Sequence, residues 1–143
     1  IAGIGLNIYN KHAFDYYSDA DYILLSPEIT NTQLLERGGV LFALGYLPLM
    51  TLAHCPLSVV YDNYNCSCFG KIIYYNNGEY SFAVVPTVNK LCQYTLYNSV
   101  IHNLLSKIEN LGYNMYINML SFESVNLLYN TKGTLGHYQK NIK

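Results

Sequence analysis

The sequence predicts an α/β fold with about four parallel strands, helices between them, and a small antiparallel β-hairpin in the middle. Two observations lead to this prediction. At both ends of the chain, short apolar runs alternate with stretches of helical periodicity, which is typical of βα units on a parallel sheet. In the middle, an Asn-Gly step lies between two strand-like runs, which is a strong hairpin signal.

The first part of the chain, residues 1–47, contains three predicted strands and two predicted helices. Asn10 is placed to cap the first helix. Thr30 or Asn31 is placed to cap the second, which ends before Gly38. Each apolar run is short, as a buried parallel strand is expected to be. The predicted strands are residues 2–8, 22–25 and 40–44.

The middle part, residues 48–98, breaks this alternation and contains no clear helix. It carries all four cysteines of the chain. Within it, residues 71–75 and 80–85 flank the string Asn76-Asn77-Gly78-Glu79, which predicts a hairpin. We therefore interpret the middle part as an insertion with its own antiparallel ribbon.

The last part, residues 99–143, returns to the βα pattern and ends in a tail. Ser99 is placed to cap a long helix that Gly112 ends. A strand at 115–120 and a helix capped by Ser121 follow. Four parallel strands are too few to close a barrel of eight, so they form either part of one or an open sheet.

Composition excludes some classes of function. Charged residues make up 12% of the 143 residues and the net charge is −1. This argues against nucleic-acid binding by this segment alone. No apolar run reaches the length of a membrane span, and no signal peptide is present, so we expect a cytoplasmic protein without a membrane partner. Because Ile1 already resembles the interior of a strand, we expect a chain excised from a longer protein.

The four cysteines are the sharpest chemical feature. Cys66 and Cys68 are separated only by Ser67, so they pair poorly with each other but can share a metal. The spacing leaves three alternatives open: buried small hydrophobes, a four-thiolate zinc site, and an iron–sulfur cluster, beside which Cys-Pro steps such as Cys55-Pro56 recur. Disulfides come last, because nothing indicates secretion.

Six strings, in this order and at these intervals, resemble the later part of the collagenase-like peptidase family (unassigned peptidase family thirty-two). The resemblance covers the chain from about Ile1 to about Leu120. The strings are Gly5-Leu6-Asn7-Ile8-Tyr9-Asn10, Leu25-Ser26-Pro27-Glu28, Leu47-Pro48-Leu49-Met50, His54-Cys55-Pro56, Asn65-Cys66-Ser67-Cys68, and Cys92 followed by Leu96-Tyr97-Asn98-Ser99.

The resemblance implies a partial (β/α) barrel, of which this chain is the second half plus the cysteine insertion. The better-understood relatives are oxygen-independent hydroxylases of RNA bases or of quinone precursors, with four cysteines holding a 4Fe–4S cluster. By position, Cys55, Cys66, Cys68 and Cys92 match those ligands. This sequence departs from the family in the single residue, Ser67, between the middle two cysteines, where the family has a longer gap.

Barrel chemistry lies at the C-terminal ends of strands, which makes a few polar residues candidates. Glu28 follows the second predicted strand and is a candidate general acid or base, or it only favours the next helix N-terminus. Asn7 and Asn10 follow the first strand as candidate substrate ligands, or they serve as caps and turn formers. His54 either tunes the neighbouring Cys55 sulfur or is an exposed loop residue.

The resemblance thus implies part of an iron–sulfur-dependent hydroxylase-type enzyme that acts on RNA or on a small aromatic substrate, inactive as this segment alone. The alternatives are a zinc-stabilised interaction module and a peptidase, as the family name suggests. Expected partners are the missing N-terminal part of the barrel and a second copy of the segment, with RNA as a partner of the whole protein.

Overall fold

The computed structural model describes residues 1–29, 38–60, 71–87, 93–108, 111–120 and 132–135. Within these residues it contains two β-sheets with seven strands and a few short helices. The elements, in chain order, are a 3-10 helix Ile4–Leu6, α1 Lys11–Tyr16, β1 Val40–Gly45, β2 Pro48–Leu52, α2 Pro56–Val60, β3 Ile73–Asn76, β4 Ser81–Pro86, β5 Tyr94–Tyr97, β6 His102–Asn103, α3 Leu105–Ile108 and β7 Asn114–Asn118.

The predicted fold class, an α/β partial barrel of parallel strands and helices, is wrong. The longest helix in the described residues, α1, has six residues. One sheet has the order β6-β1-β7 and mixes a parallel with an antiparallel pair. The other, with the order β2-β5-β4-β3, is antiparallel throughout. The regular secondary structure of the described residues is therefore mainly β.

The chain divides into two compact units. One, which we call the discontinuous unit, consists of Ile1–Gly45 and Ile101–Lys143. The other, which we call the continuous unit, consists of Tyr46–Val100 and spans the predicted insertion 48–98.

Strand β1 is the centre of the discontinuous unit. All six of its residues are buried, as expected for a strand that is covered on both faces. It runs parallel to β7 and antiparallel to β6. Leu41 and Ala43 belong to the main hydrophobic cluster, while the Phe42 ring packs against Tyr116, with a centroid distance of 5.7 Å. The cluster contains Ala2, Ile8, Ile23, Leu25, Ile29, Leu41, Ala43, Leu104 and Ile108.

The first two apolar runs pair with their neighbours only through isolated parallel bridges. Ala2 pairs with Ile23 and Ile8 pairs with Leu25. Between them the chain turns through the 3-10 helix, and Asn7 adopts a left-handed conformation with φ of 50°. A left-handed residue ends an extended segment, so the predicted strand 2–8 is interrupted in its middle.

The predicted first helix forms where the sequence places it. Asn10 caps α1, because its side-chain oxygen accepts a hydrogen bond from the Ala13 amide at 2.9 Å. This satisfies one of the amide groups that a helix leaves unpaired at its start.

The long helix predicted to begin at Ser99 is wrong. His102 and Asn103 instead form β6, which pairs with Gly45 and Leu44 at the end of β1. The Asn103 side-chain oxygen then accepts a hydrogen bond from the Leu105 amide at 3.2 Å, so α3 begins only there. The apolar spacing fits a helix. Residues 102–103 instead form their backbone hydrogen bonds by pairing with β1.

Gly45 ends β1 at a place where only glycine fits. Its φ is +131°, and a Cβ atom there would overlap the backbone carbonyl of Asn118 in β7. Both the conformation and the close approach of the two strands require a residue without a side chain.

The continuous unit contains the predicted hairpin. Strands β3 and β4 are antiparallel, with Asn76 opposite Ser81. In the turn, the Asn77 side-chain oxygen accepts from the Tyr80 amide at 2.9 Å, and Gly78 has φ of +92°. The Asn-Gly step predicts such a turn, in which asparagine accepts a backbone hydrogen bond and glycine adopts a positive φ.

Strands β2 and β5 and helix α2 have no counterpart in the predictions from sequence. β2 begins at a proline, and its residues are mostly exposed, so it lacks the apolar alternation that identifies a half-buried strand. It is an edge strand, which is where proline is tolerated. α2 has only five residues, too few to show a helical period.

Several predicted elements lie outside the described residues. They are the helix capped by Thr30 or Asn31, the helix capped by Ser121 and most of the tail. Of the helices that the structure describes, none has the length and apolar character needed to cross a membrane.

Candidate functional site

Cys55 lies between β2 and α2, at the position that directly precedes the helix. Pro56 is the first helical residue, a position that suits proline because no amide donor is needed there. The Cys55 carbonyl oxygen accepts a hydrogen bond from the Ser58 hydroxyl at 2.9 Å. The backbone amides of Leu57 and Ser58 lower the pKa of the thiol. The start of α2 therefore surrounds this thiol with hydrogen-bond donors.

The thiol of Cys55 also accepts a hydrogen bond from the hydroxyl of Tyr94, at 3.3 Å. Burial raises the pKa of the Cys55 thiol, but the hydrogen bonds from Tyr94, Ser58 and Leu57 outweigh it, so that the pKa lies below its ordinary value. A lowered pKa favours the thiolate, which is both the nucleophile and the metal-binding form of cysteine.

Tyr94 is a component of the site that the sequence did not identify. It lies on β5, and only 1% of its surface is exposed. With Val84 it forms the centre of the unit's hydrophobic cluster, against which Cys55 also packs. The one signal in the sequence is its position, two residues after Cys92 and within a strand-like run. A buried tyrosine usually finds a partner for its hydroxyl, and here that partner is the sulfur.

The other three predicted ligands, Cys66, Cys68 and Cys92, lie outside the described residues. In the sequence, the first two fall between the end of α2 and the start of β3, and Cys92 directly precedes Gln93. All four positions fall within the span of the continuous unit. Among the residues that the structure does describe, no three His, Cys, Asp or Glu side chains are grouped to hold a metal ion.

An apolar groove of about 280 Å³ lies beside this cysteine in the continuous unit. Its lining shares Leu52, Leu57, Ile73 and Leu96 with the cluster on which Cys55 packs. Among the described residues of the unit, only Lys71 and Glu79 carry a formal charge, and neither lines the groove. The groove is therefore suited to an uncharged, apolar ligand. The lining consists of Leu52, Pro56, Leu57, Val60, Ile73, Tyr74, Tyr75, Val84 and Leu96.

Two of the predicted polar site residues of the discontinuous unit, Asn7 and Glu28, meet around the hydroxyl of Ser26. Ser26 is buried, with 1% of its surface exposed. Its hydroxyl donates a hydrogen bond to the side-chain oxygen of Asn7 and accepts one from the Glu28 amide at 3.2 Å. Glu28 itself is exposed. The catalytic role of Glu28 and the substrate-binding role of Asn7 stay predictions.

The third predicted polar residue, Asn10, is not brought into this group by any described contact. Its side-chain oxygen accepts the hydrogen bond that caps α1. Its substrate-binding role stays a prediction.

Two histidines contrast in their surroundings. His54, next to Cys55 in the sequence, is exposed. His102, which was not predicted as a site residue, is buried, and neither ring nitrogen has a hydrogen-bond partner among the described residues. Burial lowers the pKa of His102. The nearby Phe42 backbone favours the charged form of the His102 ring. It does not form a hydrogen bond with the ring, so the effect of burial on the pKa is the larger one.

The chain has no match among known proteins that would identify it: no family model fits the sequence, and neither curated proteins nor solved structures include one similar to it. The resemblance to the collagenase-like peptidase family therefore stays a prediction from the six strings of the sequence.

Proposed function

We propose that the continuous unit binds a metal centre through the thiolates of Cys55, Cys66, Cys68 and Cys92, and that this centre is a 4Fe–4S cluster. The observation that supports the proposal is the hydrogen bonding of Cys55, which receives donors from Tyr94 and from the first turn of α2. A structural cysteine buried among apolar groups has a raised pKa and is inert. The pKa of the Cys55 thiol is instead lowered, which favours the reactive thiolate.

The donor types in the sequence, four cysteine thiols, suit such a group. Four thiolates are the donor set of both [2Fe–2S] and [4Fe–4S] clusters, and a thiolate ligand keeps its charge best where donors face its sulfur. When bound, the cluster supplies one-electron transfer. The chain itself places Cys55 at the start of α2, and residues of the same hydrophobic cluster line the apolar groove beside it.

We further propose that the protein is a hydroxylase-type enzyme of the cytoplasm, where free thiols persist, and that its substrate is a small aromatic compound rather than RNA. The lining of the groove and the scarcity of charge in the described part of the unit support this choice. RNA binding draws most of its affinity from Lys and Arg contacts to phosphates, and in the described part of the unit Lys71 is the one residue of this kind.

Anaerobic purification, reconstitution with iron and sulfide, and metal analysis test the proposal. We expect about four iron and four sulfide per chain, with the absorption of a cluster. Replacing any one of the four cysteines with serine lowers the iron content. The matched control is Ser67→Ala, which changes the residue between two ligands and leaves the cluster in place.

A zinc-stabilised interaction module is the second candidate, and one observation favours it. The core cluster described for the continuous unit has only Val84 and Tyr94 fully buried. Small units with little buried surface commonly need a metal or a disulfide to fold. A colourless protein with one equivalent of zinc, even after anaerobic reconstitution, overturns the cluster proposal and supports this module.

A further inference from the structure

We propose that β3 is an interaction edge, along which two copies of this chain pair antiparallel and join the sheets of their continuous units. The inference goes beyond the proposed metal centre and does not depend on it. It rests on three observations: the exposure of β3, the direction of its free backbone groups, and two opposite charges at its two ends.

The strand β3 is the more open of the two edge strands of this sheet. In the described part of the chain the sheet has the order β2-β5-β4-β3, so β3 has a neighbour on one side. At the other edge, β2 begins at Pro48, and a proline on an edge hinders further pairing. β3 contains neither a proline nor a charge. Tyr74 and Tyr75 each have 60% of their surface exposed, so this strand is accessible to another strand.

The pairing of β3 with β4 determines which backbone groups point to the open edge. The Asn77 amide donates a hydrogen bond to the Tyr80 carbonyl. Hydrogen-bonded positions alternate along an antiparallel ladder, so Tyr75, two positions before Asn77, also directs its amide and carbonyl to β4. Tyr74 and Asn76 therefore direct their backbone groups away from β4, where a second strand can reach them.

A second copy of β3 matches these groups. Antiparallel strands exchange hydrogen bonds between residues that both point to the shared edge. Tyr74 can therefore lie opposite Asn76 of the partner subunit, and Asn76 opposite the partner's Tyr74. In this register Tyr75 lies on the two-fold axis opposite the partner's Tyr75. That position is not hydrogen-bonded, so the two side chains come close and form a cross-strand aromatic pair.

Charge favours this register and a partner of the same sequence. Lys71 precedes β3 and Glu79 lies in the turn that follows it, and both are exposed. They are the charged residues of the described part of the continuous unit. With Tyr74 opposite the partner's Asn76, Lys71 comes into line with Glu79 of the partner subunit, and the two-fold axis repeats the contact. If Tyr74 instead lies opposite its own copy, these charges are out of line.

Charge reversal tests the inference in the full chain. Analytical ultracentrifugation over a range of concentrations, with a reductant to prevent intermolecular disulfides, measures the dissociation constant of the dimer. The variants are Lys71→Glu and the double variant Lys71→Glu/Glu79→Lys. The matched control is Lys107→Glu, which makes the same charge change at an exposed lysine of the discontinuous unit. Circular dichroism shows whether each variant folds.

We expect a wild-type dimer that dissociates on dilution, because pairing along one short strand buries little surface. Lys71→Glu is expected to raise the dissociation constant about 10-fold, since two opposite-charge contacts become like-charge contacts. The double variant is expected to restore the wild-type value, because the charges are exchanged and still complementary. Lys107→Glu is expected to leave it unchanged.

Two outcomes overturn the inference. A wild type that stays monomeric at every concentration shows that the β3 edge does not bind a second copy. A dimer that Lys71→Glu weakens no more than Lys107→Glu does shows that the two copies meet at another surface.

Discussion

The Tyr94 hydroxyl and the Cys55 sulfur lie 3.3 Å apart, although 39 positions separate the two residues in the sequence. The contact depends on the antiparallel register of β2 and β5, in which Leu52 lies opposite Tyr94. A shift of that register by one residue would turn the tyrosine to the other face of the sheet. The contact between the hydroxyl and this thiol therefore depends on the pairing of β2 with β5.

We predict that the Cys55 thiol ionises at a lower pH than an ordinary cysteine. In a chain with Cys66, Cys68 and Cys92 all replaced by serine, the rate of alkylation by iodoacetamide follows the thiolate fraction of Cys55. The midpoint of its pH profile is expected to lie below the ordinary pKa of a cysteine thiol. Adding Tyr94→Phe raises the midpoint, because one donor to the sulfur is lost. The same chain unfolded in urea is the control, and a folded midpoint at or above the unfolded one contradicts the prediction.

We predict that the buried histidine makes the discontinuous unit sensitive to acid. Burial lowers the pKa of His102 in the folded chain. At a pH between the folded and the unfolded pKa, the unfolded chain therefore binds a proton at His102 that the folded chain does not bind. The free energy of unfolding then falls as the pH drops below about 6.5, by up to about 1.4 kcal/mol per pH unit. The loss continues down to the lowered pKa of the folded state.

The variant His102→Leu removes this titration and is expected to flatten the dependence in urea unfolding curves recorded between pH 5 and 7. His12→Gln, which changes an exposed histidine, serves as the control. If the free energy of unfolding of His102→Leu depends on pH as steeply as that of the wild type, this histidine is not the cause of the acid sensitivity.

We predict that Ser26 stabilises the start of the chain. Ser26→Ala leaves the Asn7 side-chain oxygen and the Glu28 amide without their shared partner. Both hydrogen bonds are partly buried, and losing a typical hydrogen bond costs about 0.5–1.5 kcal/mol of stability. Ser18→Ala, at an exposed position of the same unit, should change the free energy of unfolding by much less. Equal effects of the two substitutions would show that the Ser26 contacts contribute nothing of their own.

We predict that Gly45→Ala destabilises the sheet that contains β1. A left-handed conformation costs a non-glycine residue about 1–3 kcal/mol, and the overlap with the Asn118 carbonyl adds to it. Gly5→Ala is the control, since no other group lies within 4 Å of a Cβ atom there. Chemical denaturation of the two variants measures the difference, and a Gly45→Ala protein as stable as Gly5→Ala would show that the two strands can move apart without cost.

Local signals in this sequence predicted local structure well. Asn10 caps α1, and the Asn-Gly step makes the β3–β4 turn, because the side chains that make these contacts are within a few positions of their partners. The fold class was predicted wrongly for the opposite reason. Whether Ile101, Leu104 and Ile108 face the core from a helix or from a strand edge depends on β1, and periodicity alone does not contain that information.

The residues of the candidate site also differ in whether the sequence alone predicts them. The resemblance of the string His54-Cys55-Pro56 and the other strings to the family implies Cys55 as a ligand, and these strings are visible in the sequence. Tyr94 was not predicted, because its importance comes only from the strand pairing that carries its hydroxyl to the sulfur. A tyrosine among 16 in the chain gives no local sign of such a contact.

The division of the chain into a continuous and a discontinuous unit affects the order in which it folds during synthesis. Val40 of β1 pairs with Asn114 of β7, so the central strand leaves the ribosome long before its parallel partner. The whole of Tyr46–Val100 is made in between, and it has its own strands β2–β5 to pair. Since chains are extended at about 5–20 residues per second, β1 is made several seconds before β7, and during that interval only the residues that precede it, such as Ile8 and Leu25, can cover its apolar side chains.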